Sequence, residues 1–160
     1  MALIRHELVA EDREAIAALL SATGFFSPEE VAIALELVDD RLRLGSQSHY
    51  RFLVAGEGGA VLGFACWGPI PATLDAVDLY WIAVHPRVQG QGLGRTLLAN
   101  AEREMTTQGR HRVYVETSTR PQYAPTRAFY LACGYELVAL LPDYYAPGDG
   151  KAIFCKVLAG

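Results

Sequence analysis

Trp81-Ile82-Ala83-Val84-His85-Pro86-Arg87-Val88-Gln89-Gly90-Gln91-Gly92-Leu93-Gly94-Arg95-Thr96-Leu97-Leu98 is the stretch on which the reading of this chain turns. A short apolar strand meets a turn marked by Pro86, then glycines at alternate positions, then the first turn of a helix. Gly90, Gly92 and Gly94 carry no Cβ, so their amides can approach a ligand closely and in φ/ψ regions closed to other residues. Those amides would stand at the N-terminus of the following helix, whose partial positive charge and unpaired N–H groups suit a phosphate or pyrophosphate. An ordinary glycine-rich turn is the plainer reading, and the rest of the chain bears on the choice.

Spacing separates the known phosphate loops. A P-loop requires Gly, four residues and then Gly-Lys-Ser/Thr; here Arg95 follows Gly94 and no lysine is near. A dinucleotide fingerprint requires G-x-G-x-x-G, and counting from Gly90 the third glycine falls on Arg95. A third pattern, Gln/Arg-x-x-Gly-x-Gly/Ala, is satisfied by Gln89 through Gly94.

Upstream, Ile4 to Val9 could form a first strand, and Glu11-Asp12 open a helix with Ile16, Leu19 and Leu20 on one face. Ser27-Pro28-Glu29-Glu30 predicts a second helix with Ser27 as cap, Pro28 in the first turn and Glu30 completing a capping box. Phe26 and Val31 hold the staple positions. Gly45 stops the helix near Leu44, and Asp39 and Arg43 can pair on its wet side. Residues 51–55 and 60–67 read as a hairpin about Gly56-Glu57-Gly58-Gly59. Residues 76–84 form the longest strand, apolar on both faces toward its C-terminal end as a buried central strand should be.

Downstream, Leu93, Leu97, Leu98, Ala101 and Met105 line one side of an amphipathic helix that ends at Gly109. Residues 112–117 are the next strand, which closes a βαβ unit with parallel strands and a right-handed crossover. A last helix within 121–133 ends at Gly134, and residues 135–141 and 152–158 form a hairpin about Ala146-Pro147-Gly148-Asp149-Gly150. The expectation is one α+β domain over residues 1–160, with an antiparallel first half joined to a βαβ unit.

Composition narrows the function classes. The 160 residues are 51% hydrophobic and 20% charged, the net charge is −4, and no basic block occurs. Nucleic acid is therefore a poor partner, whereas a cationic amine is compatible. No apolar run reaches the ~18 residues of a membrane span, and Arg5, His6 and Glu7 come too early for a signal peptide. A cytoplasmic protein is the expectation. Cys66, Cys133 and Cys155 are an odd number without CxxC spacing, which suits reduced thiols, and the four histidines show no ligand spacing; no metal is expected.

The loop Gln89 to Gly94, the strand Leu79 to Val84 before it, and Phe129-Tyr130-Leu131-Ala132-Cys133-Gly134-Tyr135 occur together in the order found in the GNAT acyltransferases, and the chain resembles that family over most of residues 50–160. Residues 1–49 match only as a strand and two helices. The resemblance implies the GNAT acyl-CoA N-acyltransferase fold, an α/β/α sandwich on a mixed, mostly antiparallel sheet with a βαβ CoA-binding unit. It implies an N-acetyltransferase that moves the acetyl group of acetyl-CoA to a primary amine of a small molecule or peptide, by direct attack in a ternary complex. Dimers are frequent in the family, so a homodimer is compatible. The same fold could instead serve a non-catalytic acyl-CoA sensor or structural protein. A nicotinamide enzyme, with Glu116 on a ribose, is opposed by the misplaced third glycine and the antiparallel first half.

Roles carry over by position. The resemblance implies that Ile82, Ala83 and Val84 offer backbone groups to the pantetheine arm, with the amide of Ala83 or Val84 facing the thioester oxygen. Amides of Gln89, Gly90, Gln91, Gly92, Leu93, Gly94, Arg95 and Thr96 would hold the pyrophosphate. Phe129 would border the cofactor, and Tyr130 would stand near the sulfur. An amine must lose a proton before it attacks, and a departing thiolate needs one. Glu116, at a strand end, is the candidate base and Tyr130 the candidate acid. Asp78 competes as base or binds the acceptor, and Asp143, Tyr144 and Tyr145 would position an amine through charge and cation–π contact. Each also has a plain structural reading, as core aromatic, solvated strand end or exposed hairpin. Tyr123 occupies the seat where many family members carry an Asn that helps bind the coenzyme A arm.

Overall fold

A computed structural model of the chain describes residues 2–159. The elements run β1 (Leu3–Arg5), α1 (Asp12–Ala22), α2 (Pro28–Leu44), β2 (Arg51–Glu57), β3 (Ala60–Pro69), β4 (Ala76–Val84), α3 (Leu93–Thr107), β5 (Arg112–Ser118), α4 (Ala124–Ala132), β6 (Glu136–Ala146) and β7 (Asp149–Val157). The strands form a mixed sheet in the order β1-β2-β3-β4-β5-β7-β6. β1–β2, β2–β3, β5–β7 and β6–β7 are antiparallel, and β4–β5 is parallel, as a strand–helix–strand crossover requires. The chain divides into two compact units, residues 1–68 with 81–104, and residues 69–80 with 105–160.

The first unit is built on α1, α2, the β2–β3 hairpin and the end of β4. Ile16, Leu19 and Leu20 of α1 and Ala34 and Val38 of α2 are buried with Phe52, Phe64, Cys66 and Ala83 in one cluster. Burying the isoleucine, leucine, valine and phenylalanine side chains among them stabilises the fold by ~1.5–3 kcal/mol apiece. The second helix starts as its sequence predicts: Ser27 Oγ accepts from Glu30 N at 3.1 Å and Glu30 Oε1 from Ser27 N at 3.0 Å. Phe26 and Val31 pack against the cluster, Phe26 edge-on to Trp81 at 5.1 Å between centroids. The expected Asp39–Arg43 pair is not made. Asp39 accepts from Arg13 of α1 at 2.6 Å, which joins the two helices, and Arg43 turns to Asp40 at 3.7 Å.

The second unit is built on β5, α4 and the β6–β7 hairpin. That hairpin is longer than its apolar pattern suggests, because β6 runs on to Ala146 and β7 begins at Asp149. A register shift between Leu141 and Ala146 absorbs Pro142 to Tyr145, and Asp143 there has φ 57°. Its carboxylate accepts from Gly148 N at 2.7 Å across the turn, the local bond that lets Asp tolerate the left-handed region.

α4 ends in a Schellman motif. Gly134 has φ 92°, Tyr135 N donates to Tyr130 O at 3.0 Å, and Gly134 N donates to Leu131 O at 3.1 Å. The apolar contact that accompanies this cap is the Tyr130–Tyr135 ring pair, 5.7 Å between centroids. The spacing Phe-Tyr-x-x-x-Gly-Tyr thus has a mechanical meaning: it closes the helix and seats Tyr130.

One sequence expectation about β4 needs correction. Ala76, Val77 and Leu79 are buried, but Tyr80 is 38% exposed and Trp81, Ile82 and Val84 are only partly covered. The ladder from β4 to β5 runs from Ala76↔Arg112 to Leu79↔Val115 among the described residues, while both strands continue. Ala83 nevertheless lies in the core and Trp81 packs against it, so this end of β4 is partly covered and not buried on both faces.

Candidate functional site

The loop after β4 is held open by its own bonds. His85 Nδ1 accepts from Arg87 N at 3.2 Å, and Gln89 Nε2 donates to Val84 O at 3.0 Å, which folds the turn back on the strand end. Gly90 (φ 78°) and Gly92 (φ 84°) are left-handed, and a Cβ on either would meet nothing within 4 Å. These positions demand glycine because of their backbone, not because of crowding. Gly94 lies in the first turn of α3, and Thr96 N and Oγ1 both donate to Gly92 O at 3.0 Å. Gln89 to Gly92, Arg95 and Thr96 are exposed, with Leu93 and Gly94 partly so. Exposed backbone at a helix N-terminus, with two left-handed glycines before it, fits a diphosphate.

Backbone direction at the end of β4 follows from two contacts. His85 N donates to Leu62 O of β3 at 2.7 Å, and the place of a Cβ on Gly63 lies 3.1 Å from Ala83 O. Along a strand, successive residues present their N–H and C=O to opposite edges. Ala83 and His85 thus face β3, and the amides of Ile82 and Val84 face the other edge. The Val84 carbonyl is taken by Gln89, which leaves its N–H as the available donor at the strand end.

In the second unit the register gathers several predicted residues. Asp78 pairs with Tyr114, and Glu116 follows two residues on, so both carboxylates lie on one face of the sheet. Glu116 Oε2 is 2.9 Å from Lys151 Nζ of β7, and the same ammonium lies 4.3 Å from the Tyr144 ring centroid. Burial works to lower the Lys151 pKa, but its bonds to Glu116 and Tyr144 outweigh this and leave it above the ordinary lysine value. Tyr144 and Tyr145 meet edge to face at 5.1 Å. Burial, then the nearby charge of Glu116, pushes the Tyr145 hydroxyl up. Asp149 accepts from Ser118 Oγ at 2.5 Å and pairs with Arg120 at 3.3 Å.

Tyr130 is buried against Phe129, Tyr135 and Phe154. Burial, aided by the neighbouring Cys133, drives its pKa well above the tyrosine norm, so its proton stays on at any working pH. Phe129 and Tyr123 are partly exposed. The three cysteines are free thiols, and no group of metal-ligating side chains occurs among the described residues. No helix there is long and apolar enough to cross a membrane.

Lys151 is the member of this cluster that sequence reading passes over. A signal was available: Lys151 and Lys156 are the chain's only lysines, every other basic residue of that class being arginine, and both fall on the last strand.

The fold and the open helix-capping loop define an acyl-CoA N-acyltransferase architecture, and comparison with known proteins agrees. The profile of the Acetyltransferase (GNAT) family matches residues 13–135. A crystal structure assigned to the GNAT acetyltransferase family, from Desulfovibrio desulfuricans, superposes with a TM-score of 0.97 at 40% identity, covering 99% of this chain and all of that one. A mycothiol acetyltransferase of Beutenbergia cavernae is 33% identical over 80% of this chain and 43% of its own length. The ribosomal protein bS18-alanine N-acetyltransferase of Escherichia coli K12 is 35% identical over 59% of this chain and 61% of its own. The chain therefore spans less than two thirds of either curated relative. It belongs to the GNAT family.

Proposed function

We propose that the chain is an N-acetyltransferase that uses acetyl-CoA and a primary amine, carried by a small molecule or a peptide. The observation that carries this reading is the loop Gln89 to Thr96: two left-handed glycines and an exposed helix N-terminus, directly after a strand end with an uncommitted amide. Bound there, acetyl-CoA supplies an acetyl group activated as a thioester. Amides of Gly90, Gly92 and the first turn of α3 would hold the diphosphate, with Ile82 and Val84 offering backbone bonds to the pantetheine arm.

Val84 N–H is the preferred donor to an oxygen that gains negative charge, since the Ala83 amide faces β3. Glu116 would take a proton from the acceptor ammonium, directly or through water, with Asp78 on the same face as the competing base. The amine nitrogen would form the new bond to the acyl carbon as the carbon–sulfur bond breaks; sulfur would take a proton from Tyr130, and the second proton shed by the nitrogen would return to Tyr130, leaving the amide, the thiol and a protonated Glu116. Burial makes Tyr130 a weaker acid than free tyrosine, so its role is to share or pass a proton as charge builds on sulfur, not to ionise beforehand. Tyr144 and Tyr145 would flank the acceptor.

Acceptor identity is approached through the relatives, whose names specify mycothiol and a ribosomal-protein alanine. Free-thiol release from acetyl-CoA is to be followed against spermidine, kanamycin, free amino acids and an alanine-initiated peptide. Release dependent on one amine class is the expected result. Tight acetyl-CoA binding without release for any amine would favour a sensor.

A further inference from the structure

We infer that Lys151 is a positioning residue: its ammonium holds the Glu116 carboxylate and the face of the Tyr144 ring, fixing the base and the acceptor wall as one unit. The inference rests on the catalytic reading of Glu116 and adds to it a residue from a third strand.

The register builds the contact. β7 lies between β5 and β6, and Lys151 stands opposite Ser118 of β5 and Leu141 of β6. From that middle strand its side chain reaches diagonally to Glu116 on one neighbour and to Tyr144 beyond the bulge on the other. The Lys151 side chain is 11% exposed, whereas Glu116 is 47% exposed. The pair thus has a sheltered, fixed cation and an accessible carboxylate. The close contact is at Oε2, and a carboxylate has roughly four acceptor positions, so an ion pair with one ammonium leaves this half-exposed carboxylate capacity for a water or an acceptor amine.

A half-exposed glutamate otherwise samples several rotamers; a clamp limits that motion before substrate arrives. The residue type suits the task. A lysine is a compact point charge with three donors, able to serve a carboxylate and an aromatic ring from one nitrogen, where guanidinium would present a planar fork. The other ionisable groups about this ammonium are Tyr145 on β6 and Asp149 on β7, and Asp149 is engaged by Ser118 and Arg120.

The test uses the intact chain with 13C,15N-lysine, which yields only two lysine side-chain signals. Lys151 should titrate above the ordinary lysine value in the wild type, and the elevation should collapse in Glu116→Gln. A Lys151 signal that titrates normally in the wild type, or is indifferent to Glu116→Gln, overturns the clamp. Turnover is read with the best acceptor among spermidine, kanamycin and an alanine-initiated peptide. Lys151→Met should lower kcat about tenfold, leave KM for acetyl-CoA within about twofold, raise KM for the acceptor, and add nothing on top of Glu116→Gln. Lys151→Arg should recover part of the loss. Fully additive losses would mean that Lys151 does not act through Glu116. Full kcat in Glu116→Gln would remove the base assignment, while a collapsed Lys151 titration in the same variant would still uphold the pairing.

Discussion

Gly92 and Tyr130 are positions where one substitution separates binding from chemistry. At Gly92 a Cβ would touch no protein atom, but φ 84° is closed to branched side chains. Gly92→Val should leave the fold intact and weaken acetyl-CoA binding at least tenfold in calorimetry, because the loop must abandon the arrangement that presents its amides. Unchanged affinity would refute the loop assignment. Tyr130→Phe keeps the aromatic packing and the helix cap, so stability should hold while kcat falls roughly 10–100-fold, near the low end for general acid catalysis. Burial raises the Tyr130 pKa, so the sign of its pH dependence is set: the wild type should show no falling alkaline limb from this group below about pH 10. A limb near pH 8 that vanishes in Tyr130→Phe would contradict the buried, protonated state.

The helices and strands owe their placement to a few anchoring polar groups as well as to apolar faces. Asp12, at the start of α1, is 3% exposed and accepts from Arg5 Nη2 at 2.8 Å, Arg5 Nη1 at 3.1 Å and Val9 N at 2.8 Å. One carboxylate thus joins β1, the β1–α1 connection and α1. Asp12→Ala would orphan the Val9 amide and release an arginine that is 41% exposed and can rehydrate. The cost should be about 2 kcal/mol, or roughly 4–8 °C in Tm for a chain of this size. Thermal unfolding within 1 °C of wild type would show that the bonds are replaced by water. Much of this level was legible in the residue order. Ser27-Pro28-Glu29-Glu30, Gly45, Gly109 and Gly134 mark helix ends through backbone chemistry that acts over three or four residues. The Asp39 partner was not legible, because Arg13 reaches it from another helix.

For the whole chain, net charge −4 without a basic block predicts no affinity for nucleic acid. Double-stranded DNA should show no mobility shift with the protein at ~0.15 M salt; a shift that fades as salt rises would reveal a basic surface that composition hides. The charge on the proposed acceptor side is also less negative than its acids suggest. Glu116 is balanced by Lys151 and Asp149 by Arg120. Attraction of a polycation is therefore weaker than the count of carboxylates implies.

The amino-acid order by itself determined the succession of elements, the parallel β4–α3–β5 unit, the glycine loop at the α3 N-terminus and the family resemblance, because periodicity, caps and loop spacing are local. Tertiary structure alone decided the rest. Which edge the Val84 amide faces depends on β3 occupying the other edge. That Lys151, thirty-five residues beyond Glu116, lies within hydrogen-bond distance of it depends on the β5–β7 register. Local alternation gives the face a side chain shares, but the partner across the sheet is set by long-range pairing that no short stretch encodes.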